Sequence, residues 1–204
     1  RVDQVVAVSN DIAEQLKSTL NVPPHRVSVI PNGRDPEIYR PAPAAHPSHC
    51  DPLVLFIGEL ESGKRPELFL DVIEELKAMP LTVEGAVAGD GPLREALEPR
   101  AHALGVRMLG VRQDVPDLLR RAQVVVVTSA RGTEGMPGVV VEAGLSGVPV
   151  VSTDAAGIRD VVIDGVTGYV ASERGSAQEI ATRVAALMRD PDLRRRMGES
   201  GRAH

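Results

Sequence analysis

Residues 134–151 hold the side chains of this sequence that are best suited to chemistry. The pattern predicts a loop carrying Glu134, a short helix over about 137–146 and a buried strand over 148–152. Gly135 and Gly138 place no large side chain at the start of that helix, so its free N–H groups and its dipole favour an anion. Glu142 lies one or two turns into the helix, where a carboxylate can accept two hydrogen bonds from a vicinal diol. A phosphate seat beside a diol acceptor indicates a nucleotide site.

The same stretch has a plainer interpretation, because proline and glycine commonly mark where a helix begins and ends. On that interpretation Pro137 lies in the first helical turn, Gly147 closes the helix in a left-handed conformation, and Glu142 lies on a solvated stripe. Spacing alone does not decide between the two interpretations, so the elements that position the stretch have to be considered.

Strands and helices alternate along the chain. Short runs rich in Val, Leu and Ile are separated by amphipathic segments, which predicts an α/β fold with a Rossmann-like parallel sheet and helices on both faces. Strands are predicted at 4–9, 27–30, 53–57, 82–88, 106–109, 124–128, 148–152 and 167–170. Helices are predicted at about 10–20, 66–78, 92–104, 115–121, 137–146, 158–163, 176–188 and 191–202. Such a sheet binds ligands beyond the carboxyl ends of its strands.

Composition excludes several classes of protein. The 204 residues carry a net charge of −5, with two Phe, two Tyr, no Trp and no basic stripe, so no nucleic-acid partner is expected. No apolar run reaches the eighteen or so residues of a membrane helix. The absence of a G-x-G-x-x-G motif argues against NAD or FAD. The single cysteine, Cys50, excludes an internal disulfide and fits a reducing compartment, so we expect a cytoplasmic location.

Further loops with polar residues follow the predicted strands, and the carboxyl ends of parallel strands share one edge of the sheet. Lys64 and Arg65 close the loop GELESGKR at 58–65, and Gly89 opens the turn GDGP. The loop GVRQD at 110–114 supplies Val111, Arg112 and Asp114. Each has a structural alternative: Lys64 as a solvated lysine, GDGP as a tight turn and Asp114 as a helix N-cap.

Glu134, seven intervening residues and Glu142 resemble the E-x7-E signature of retaining glycosyltransferases of the GT-B fold, family 4 (glycosyl transferases group 1). Lys64 matches the family lysine that follows a Gly-Arg-Leu turn, and GDGP matches the family's GxGP. The N-terminal strand and helix, followed by VSVIPNGRD, resemble the family's crossover between its two domains. The resemblance covers nearly the whole chain.

The resemblance implies a C-terminal, donor-binding domain over 53–204, preceded by a crossover segment over 1–35 and a Pro/Ala-rich loop over 36–52. It assigns Glu134 to the donor sugar, Glu142 to the ribose hydroxyls and Lys64 to the diphosphate, with Arg65 as the candidate second cation. We therefore expect Lys64, Arg65 and Glu134 to be catalytic. The expected donor-binding residues are Gly58, Gly89, Val111, Arg112, Asp114, Gly135, Met136, Pro137, Gly138 and Glu142.

One position departs from the family pattern, because Glu59 stands where the family has arginine. A carboxylate about 4 Å from a phosphate charge costs on the order of 4 kcal/mol at an effective dielectric near 20. Either Glu59 points away from the phosphates, where it pairs with Arg65, or diphosphate binding is weakened.

The resemblance implies transfer of a sugar from a nucleoside-diphosphate sugar to an unknown acceptor with retention of configuration. It also implies an N-terminal acceptor domain that this sequence lacks, without which we expect nucleotide binding but poor turnover. Any membrane association would be peripheral and would involve that domain. No cofactor and no metal are expected, and His46, His49 and Cys50 are interpreted as part of a solvated loop. The alternatives are a degenerate nucleotide-binding or regulatory module and a nucleotide-sugar epimerase.

Overall fold

The strands form where β-branched and other apolar residues run together. The computed structural model describes residues 3–42, 52–172 and 175–204, and within them it contains eight strands. They are β1 Val5–Ala7, β2 Val27–Val29, β3 Leu53–Ile57, β4 Glu84–Ala88, β5 Arg107–Gly110, β6 Ala122–Val127, β7 Val150–Ser152 and β8 Gly168–Val170. β1 pairs with β2, and the other six form one parallel sheet in the order β5-β4-β3-β6-β7-β8.

The strand order reverses between β3 and β6. β4 and β5 extend the sheet on one side of this pair, and β7 and β8 extend it on the other side. The loops that leave β3 and β6 therefore lie at the edge where an open parallel sheet has its ligand crevice.

Helices connect the strands, and several begin at the expected signals. Ser9 caps the first helix, since its hydroxyl accepts the Ile12 N–H at 3.3 Å, and Ser176 caps the sixth in the same way. The helices are α1 Asn10–Ser18, α2 Pro66–Lys77, α3 Arg94–Ala103, α4 Val115–Arg121, α5 Gly138–Leu145, α6 Ala177–Arg189 and α7 Pro191–Ala203. Two 3-10 turns, Pro24–Arg26 and Ile158–Asp160, complete the regular structure of the described residues.

Successive side chains of a strand point to opposite faces of the sheet, which divides the apolar interior into two layers. Val54 and Phe56 of β3 pack in the layer that holds Phe69 of α2 and Ile180 of α6. Leu55 points into the other layer, which α4 and α5 close. Helices thus cover both faces, which confirms the predicted α/β, Rossmann-like fold.

Most predicted elements are present, with ends shifted by one or two residues, but two details differ. Only Ile158–Asp160 of the predicted helix 158–163 is helical, as a 3-10 turn, and the Ile163 N–H bonds to the Thr167 hydroxyl at 2.8 Å instead of continuing a helical ladder. Pro137 is the residue before α5 and not part of its first turn, since its ψ of 116° is extended. Gly147 adopts the expected left-handed conformation, with φ of 70°.

The first helix is joined to the large sheet through its N-terminal residues. The backbone N–H and the side-chain amide of Asn10 donate to the Asp160 carboxylate at 2.7 and 2.9 Å. The Gly157 N–H donates to Asp11 Oδ2 at 2.8 Å. Bonds to charged acceptors are among the stronger hydrogen bonds, so α1 lies in a fixed position against the loop that follows β7.

Two further findings concern segments outside the crevice. No helix in the described part of the chain is both long and apolar enough to cross a membrane.

The sequence has a single Asp-x-Asp triplet, at 190–192, and it joins α6 to α7. There Asp190 accepts the Leu193 N–H at 2.8 Å and caps α7, while Asp192 pairs with Arg195. His46, His49 and Cys50 lie outside the described residues.

Candidate functional site

The loops that follow β3 and β6 are bonded to one another along their length. The Thr128 hydroxyl, at the end of β6, lies 2.7 Å from the Lys64 carbonyl and 2.9 Å from that of Arg65. The Ala130 N–H donates to the Gly63 carbonyl at 2.9 Å. These bonds fix the end of the β3 loop against the loop that carries Glu134, so residues about 70 positions apart become neighbours.

Lys64 and Glu134 form an ion pair at the meeting point of these loops. The Ser129 hydroxyl also donates to the Glu134 carboxylate at 2.7 Å. The Glu134 side chain is only 9% exposed and that of Lys64 is 26% exposed, so both charges are largely removed from water. A charge in such a place requires a partner, and each residue supplies it for the other.

Arg65 has an unusual backbone conformation, because it lies in the left-handed region with φ of 47° and ψ of 55° immediately before α2. Its Nε donates to the Thr128 carbonyl at 2.7 Å, and its Nη2 is buried without a hydrogen-bond partner among the described residues. The expected pairing of Glu59 with Arg65 is therefore wrong. Glu59 is exposed, and its carboxylate bonds to no described residue, while the guanidinium of Arg65 is held at the end of β6.

The N-terminus of α5 is open, as the glycines predict. No side chain caps this helix, and Pro137 before it has no N–H. A Cβ added to Gly138 would collide with Nη2 of Arg34, and one added to Gly135 would lie 2.9 Å from the Val8 side chain. Met136, between the two glycines, is buried, with 6% of its surface exposed. The start of α5 therefore offers backbone N–H groups that no side chain caps, with the guanidinium of Arg34 beside Gly138.

Glu142 is paired with Arg34, a residue that sequence reasoning missed. Arg34 Nε lies 2.7 Å from Glu142 Oε1, with the Glu142 side chain 13% exposed and that of Arg34 36% exposed. The hydrogen bond to Glu142 raises the pKa of the Arg34 guanidinium above its usual range. Burial, and then the negative charge of Glu142, raise the pKa of Tyr39, which lies near the same carboxylate. The sequence signal for Arg34 was only a basic residue in the turn PNGRD after β2.

A cavity of about 520 Å³ lies at the ends of β3, β4 and β5. Its walls include Gly58, Gly89, Val111 and Arg112, four of the residues expected to bind the donor, together with Glu59. Gly89 has φ of 145°, and a Cβ there would overlap the Gly58 carbonyl oxygen, so only glycine permits the close approach of the two loops.

Asp114 belongs to the edge of this region, where its carboxylate bonds to Arg112 Nε and Nη2 at 2.8 and 2.6 Å. The Arg112 guanidinium lowers the pKa of Asp114, and the carboxylate raises the pKa of Arg112. Asp114 is the residue before α4, but its side chain makes no capping bond, because Arg112 engages it.

The structure thus brings the predicted residues together in three groups: Lys64 with Glu134, Glu142 with Arg34, and the cavity residues with Arg112 and Asp114. Arg65 joins the first group through the end of β6. In the described ranges, no three His, Cys, Asp or Glu side chains are grouped closely enough to hold a metal ion.

A doubly wound sheet with a bonded pair of loops at its switch point and an open helix N-terminus is the architecture of a GT-B half-molecule. The model of the family "Glycosyl transferases group 1" matches residues 43–204, and that of "Glycosyltransferase Family 4" matches residues 1–38. The chain therefore belongs to the glycosyl transferases of group 1, and its resemblance to that family is confirmed.

Curated relatives agree with this membership. D-inositol 3-phosphate glycosyltransferase of Nocardia farcinica is 31% identical over 221 residues, which cover 99% of this chain and 48% of that protein. Alpha-D-kanosaminyltransferase of Streptomyces kanamyceticus is 30% identical over 155 residues, which cover 73% of this chain and 39% of that protein. The chain thus spans about half the length, or less, of these relatives.

Solved structures agree with the fold. Anabaena HepE, solved in complex with UDP and glucose, superposes with a TM-score of 0.84 at 25% identity, covering 98% of this chain and 57% of that one. Staphylococcus aureus TarM superposes with a TM-score of 0.86 at 21% identity, covering 98% of this chain and 40% of that one, and supports the fold alone.

Proposed function

We propose that this chain binds a nucleoside-diphosphate sugar and that, together with an N-terminal acceptor domain, it transfers the sugar to an acceptor with retention of configuration. The observation that carries the proposal is the start of α5. Its N-terminus is open, and on either side of it lie the two glutamates of the E-x7-E pattern, each paired with a cation. A diphosphate, a sugar and a ribose diol are the groups that this arrangement suits.

The roles of the residues follow from the charges that develop in the reaction. As the glycosidic bond breaks, the leaving diphosphate gains negative charge and the sugar becomes oxocarbenium-like. Lys64, Arg65 and the N–H groups at the start of α5 stabilise the leaving group, because preorganised donors act most strongly where charge develops. Glu134 orients the sugar, and Glu142 accepts hydrogen bonds from the ribose hydroxyls.

The nucleobase belongs in the cavity at the ends of β3, β4 and β5, where Gly58, Gly89 and Val111 form the walls. HepE, which is described in complex with UDP and glucose, supports a nucleotide ligand for this fold at 25% identity. We expect no metal and no cofactor. The cytoplasmic location that we propose rests on the single cysteine of the sequence.

Calorimetry of the chain against UDP, GDP, ADP and their sugars tests the donor site, with Glu142→Ala as the decisive variant. Loss of two charge-assisted hydrogen bonds should cost roughly 3 kcal/mol, about a hundredfold in affinity. Glu199→Ala is a matched control, because Glu199 lies exposed on α7 and pairs only with Arg195. Binding that is equal in Glu142→Ala and in the wild type would contradict the assigned site.

A second candidate function is a degenerate module that recognises a nucleotide without transferring a sugar. The exposed and unpaired carboxylate of Glu59 favours it, since that charge lies beside the cavity and opposes a diphosphate. Sugar transfer by a version of the chain that includes the acceptor domain would contradict this alternative, whereas nucleotide binding alone fits both candidates. If the wild type does not bind and Glu59→Arg does, the diphosphate seat is intact and Glu59 has disabled it.

A further inference from the structure

The cations around the start of α5 are all engaged by groups of the chain itself. Lys64 is paired with Glu134, Arg34 is paired with Glu142, and Arg65 donates to the Thr128 carbonyl. Glu59 adds an exposed carboxylate that bonds to no described residue. The two ion pairs contribute no net charge, and the carboxylate of Glu59 offsets the remaining charge of Arg65. A diphosphate would therefore meet a seat without net positive charge, in which Lys64 and Arg34 are held by glutamates.

Arg34 is the cation that is best placed to do so. Its Nη2 lies against Gly138, the first residue of α5, while Nε bonds to Glu142 and Nη1 donates to the Gly33 carbonyl at 3.1 Å. Residues 31–35 form no helix or strand, and a third of the side chain is exposed. The guanidinium therefore already lies beside the first residue of α5, on a segment outside the helices and strands.

We infer that Arg34 is a donor-binding residue. It supplies the positive charge that the family's arginine would provide at the position occupied here by Glu59. Without a nucleotide it neutralises Glu142, and with one it turns its fork to the diphosphate while the ribose hydroxyls bond to Glu142. A guanidinium suits this exchange, because it presents five donors in a planar fork that matches phosphate geometry. The inference rests on the donor site proposed above.

The exchange predicts different effects on the two ends of the nucleotide. Arg34→Gln removes the cation, so affinity for a diphosphate should fall at least about tenfold, as expected for one charge-assisted hydrogen bond. The same change frees Glu142, so affinity for the nucleoside should not fall. The measured quantity is the ratio of the two affinities, obtained by calorimetry for UDP and by NMR titration for uridine. GDP with guanosine, or ADP with adenosine, replaces this pair if that base is the one bound.

Two variants complete the experiment. Arg34→Lys keeps the charge and should recover part of the preference for the diphosphate over the nucleoside that Arg34→Gln loses. This recovery also separates the effect from misfolding. Arg195→Gln, on the exposed face of α7 beside Asp192 and Glu199, should leave the ratio unchanged.

An unchanged ratio of the two affinities in Arg34→Gln overturns the inference. Both affinities would rise together if Arg34 only blocked the site, and both would fall together if its role were structural. In that case the wild type still binds the diphosphate and the proposed function stands. If the wild type binds none of the three diphosphates, the proposed function fails and this inference fails with it.

Discussion

The carboxylate of Glu134 illustrates how single residues of this site depend on one another. It is 9% exposed, and it is held by the ammonium of Lys64 and by the hydroxyl of Ser129. A charge in this place is tolerated only because its partners replace the water it has lost. Binding groups of the site therefore also contribute to the stability of the two loops that meet there.

Lys64→Ala should lower the free energy of unfolding by about 1–2 kcal/mol, between the values for exposed and fully buried ion pairs. The reason is that Glu134 would keep only its bond to Ser129. Urea denaturation measures the change, and the double variant Lys64→Ala/Glu134→Gln should restore most of the loss. Lys17→Ala is the matched control, since its partner Glu14 is 73% exposed and the pair should contribute less than about 0.5 kcal/mol. Equal losses in both lysine variants would contradict this account.

At the scale of elements, the residue immediately before α2 has a conformation that L-amino acids avoid. Arg65 has φ of 47°, which costs a residue with a side chain about 1–2 kcal/mol. Its carbonyl and that of Lys64 are both within hydrogen-bond distance of the Thr128 hydroxyl, and its Nε donates to the Thr128 carbonyl. The bonds between the β3 and β6 loops hold this strained start of the helix in place.

Two substitutions at Arg65 separate the strain from the side chain. Both Arg65→Ala and Arg65→Gly lose the guanidinium, but only glycine relieves the left-handed backbone, so the glycine variant should be more stable by about 1 kcal/mol. Glu75, in the interior of α2, is the control position. There the alanine variant should be more stable than the glycine variant, by about the same amount. Thermal or urea unfolding of the four variants measures these differences in stability. If the alanine variant is the more stable one at both positions, Arg65 is unstrained.

The elements were largely predictable from the sequence because their signals are local. The strand Leu53–Ile57 and the helix Val115–Arg121 have the predicted ends. The segment 158–163 was mispredicted because the bond that ends it comes from Thr167, a residue outside the helical pattern.

The site was predictable only where a residue belongs to a motif. Lys64, Glu134 and Glu142 were identified in this way, and the structure places the first two in contact. Arg34 was missed because its partner lies 108 positions away and its own turn has no helical or strand periodicity. The bond that holds Arg65 at the end of β6 was likewise invisible, since it joins a side chain to a backbone carbonyl 63 positions away.

At the scale of the whole molecule, β1 and β2 form a small parallel sheet apart from the large one. Val6, Val29 and Ile30 of this region are 55%, 38% and 58% exposed. Two-stranded sheets are marginal without further packing, so these side chains offer an apolar surface to a neighbouring domain. This exposure supports the proposed acceptor domain, which would lie beside α1 and Arg34.

On the proposed function, the chain alone should bind its nucleotide and transfer little or no sugar, because the acceptor site and half of the cleft would belong to the acceptor domain. Assay of a nucleotide sugar with a supplied acceptor, for the chain alone and for a version that includes the acceptor domain, measures this. Transfer by the chain alone at a rate comparable with the longer version would contradict the division of roles.

The residues that meet at α5 are far apart along the polypeptide, with 70 positions between Lys64 and Glu134 and 108 between Arg34 and Glu142. Closing loops of that length removes chain entropy before any contact compensates for it. Neither half of the large sheet contains both members of either pair, so neither can assemble the site during synthesis. The proposed nucleotide site can therefore form only after β3 and β6 have joined.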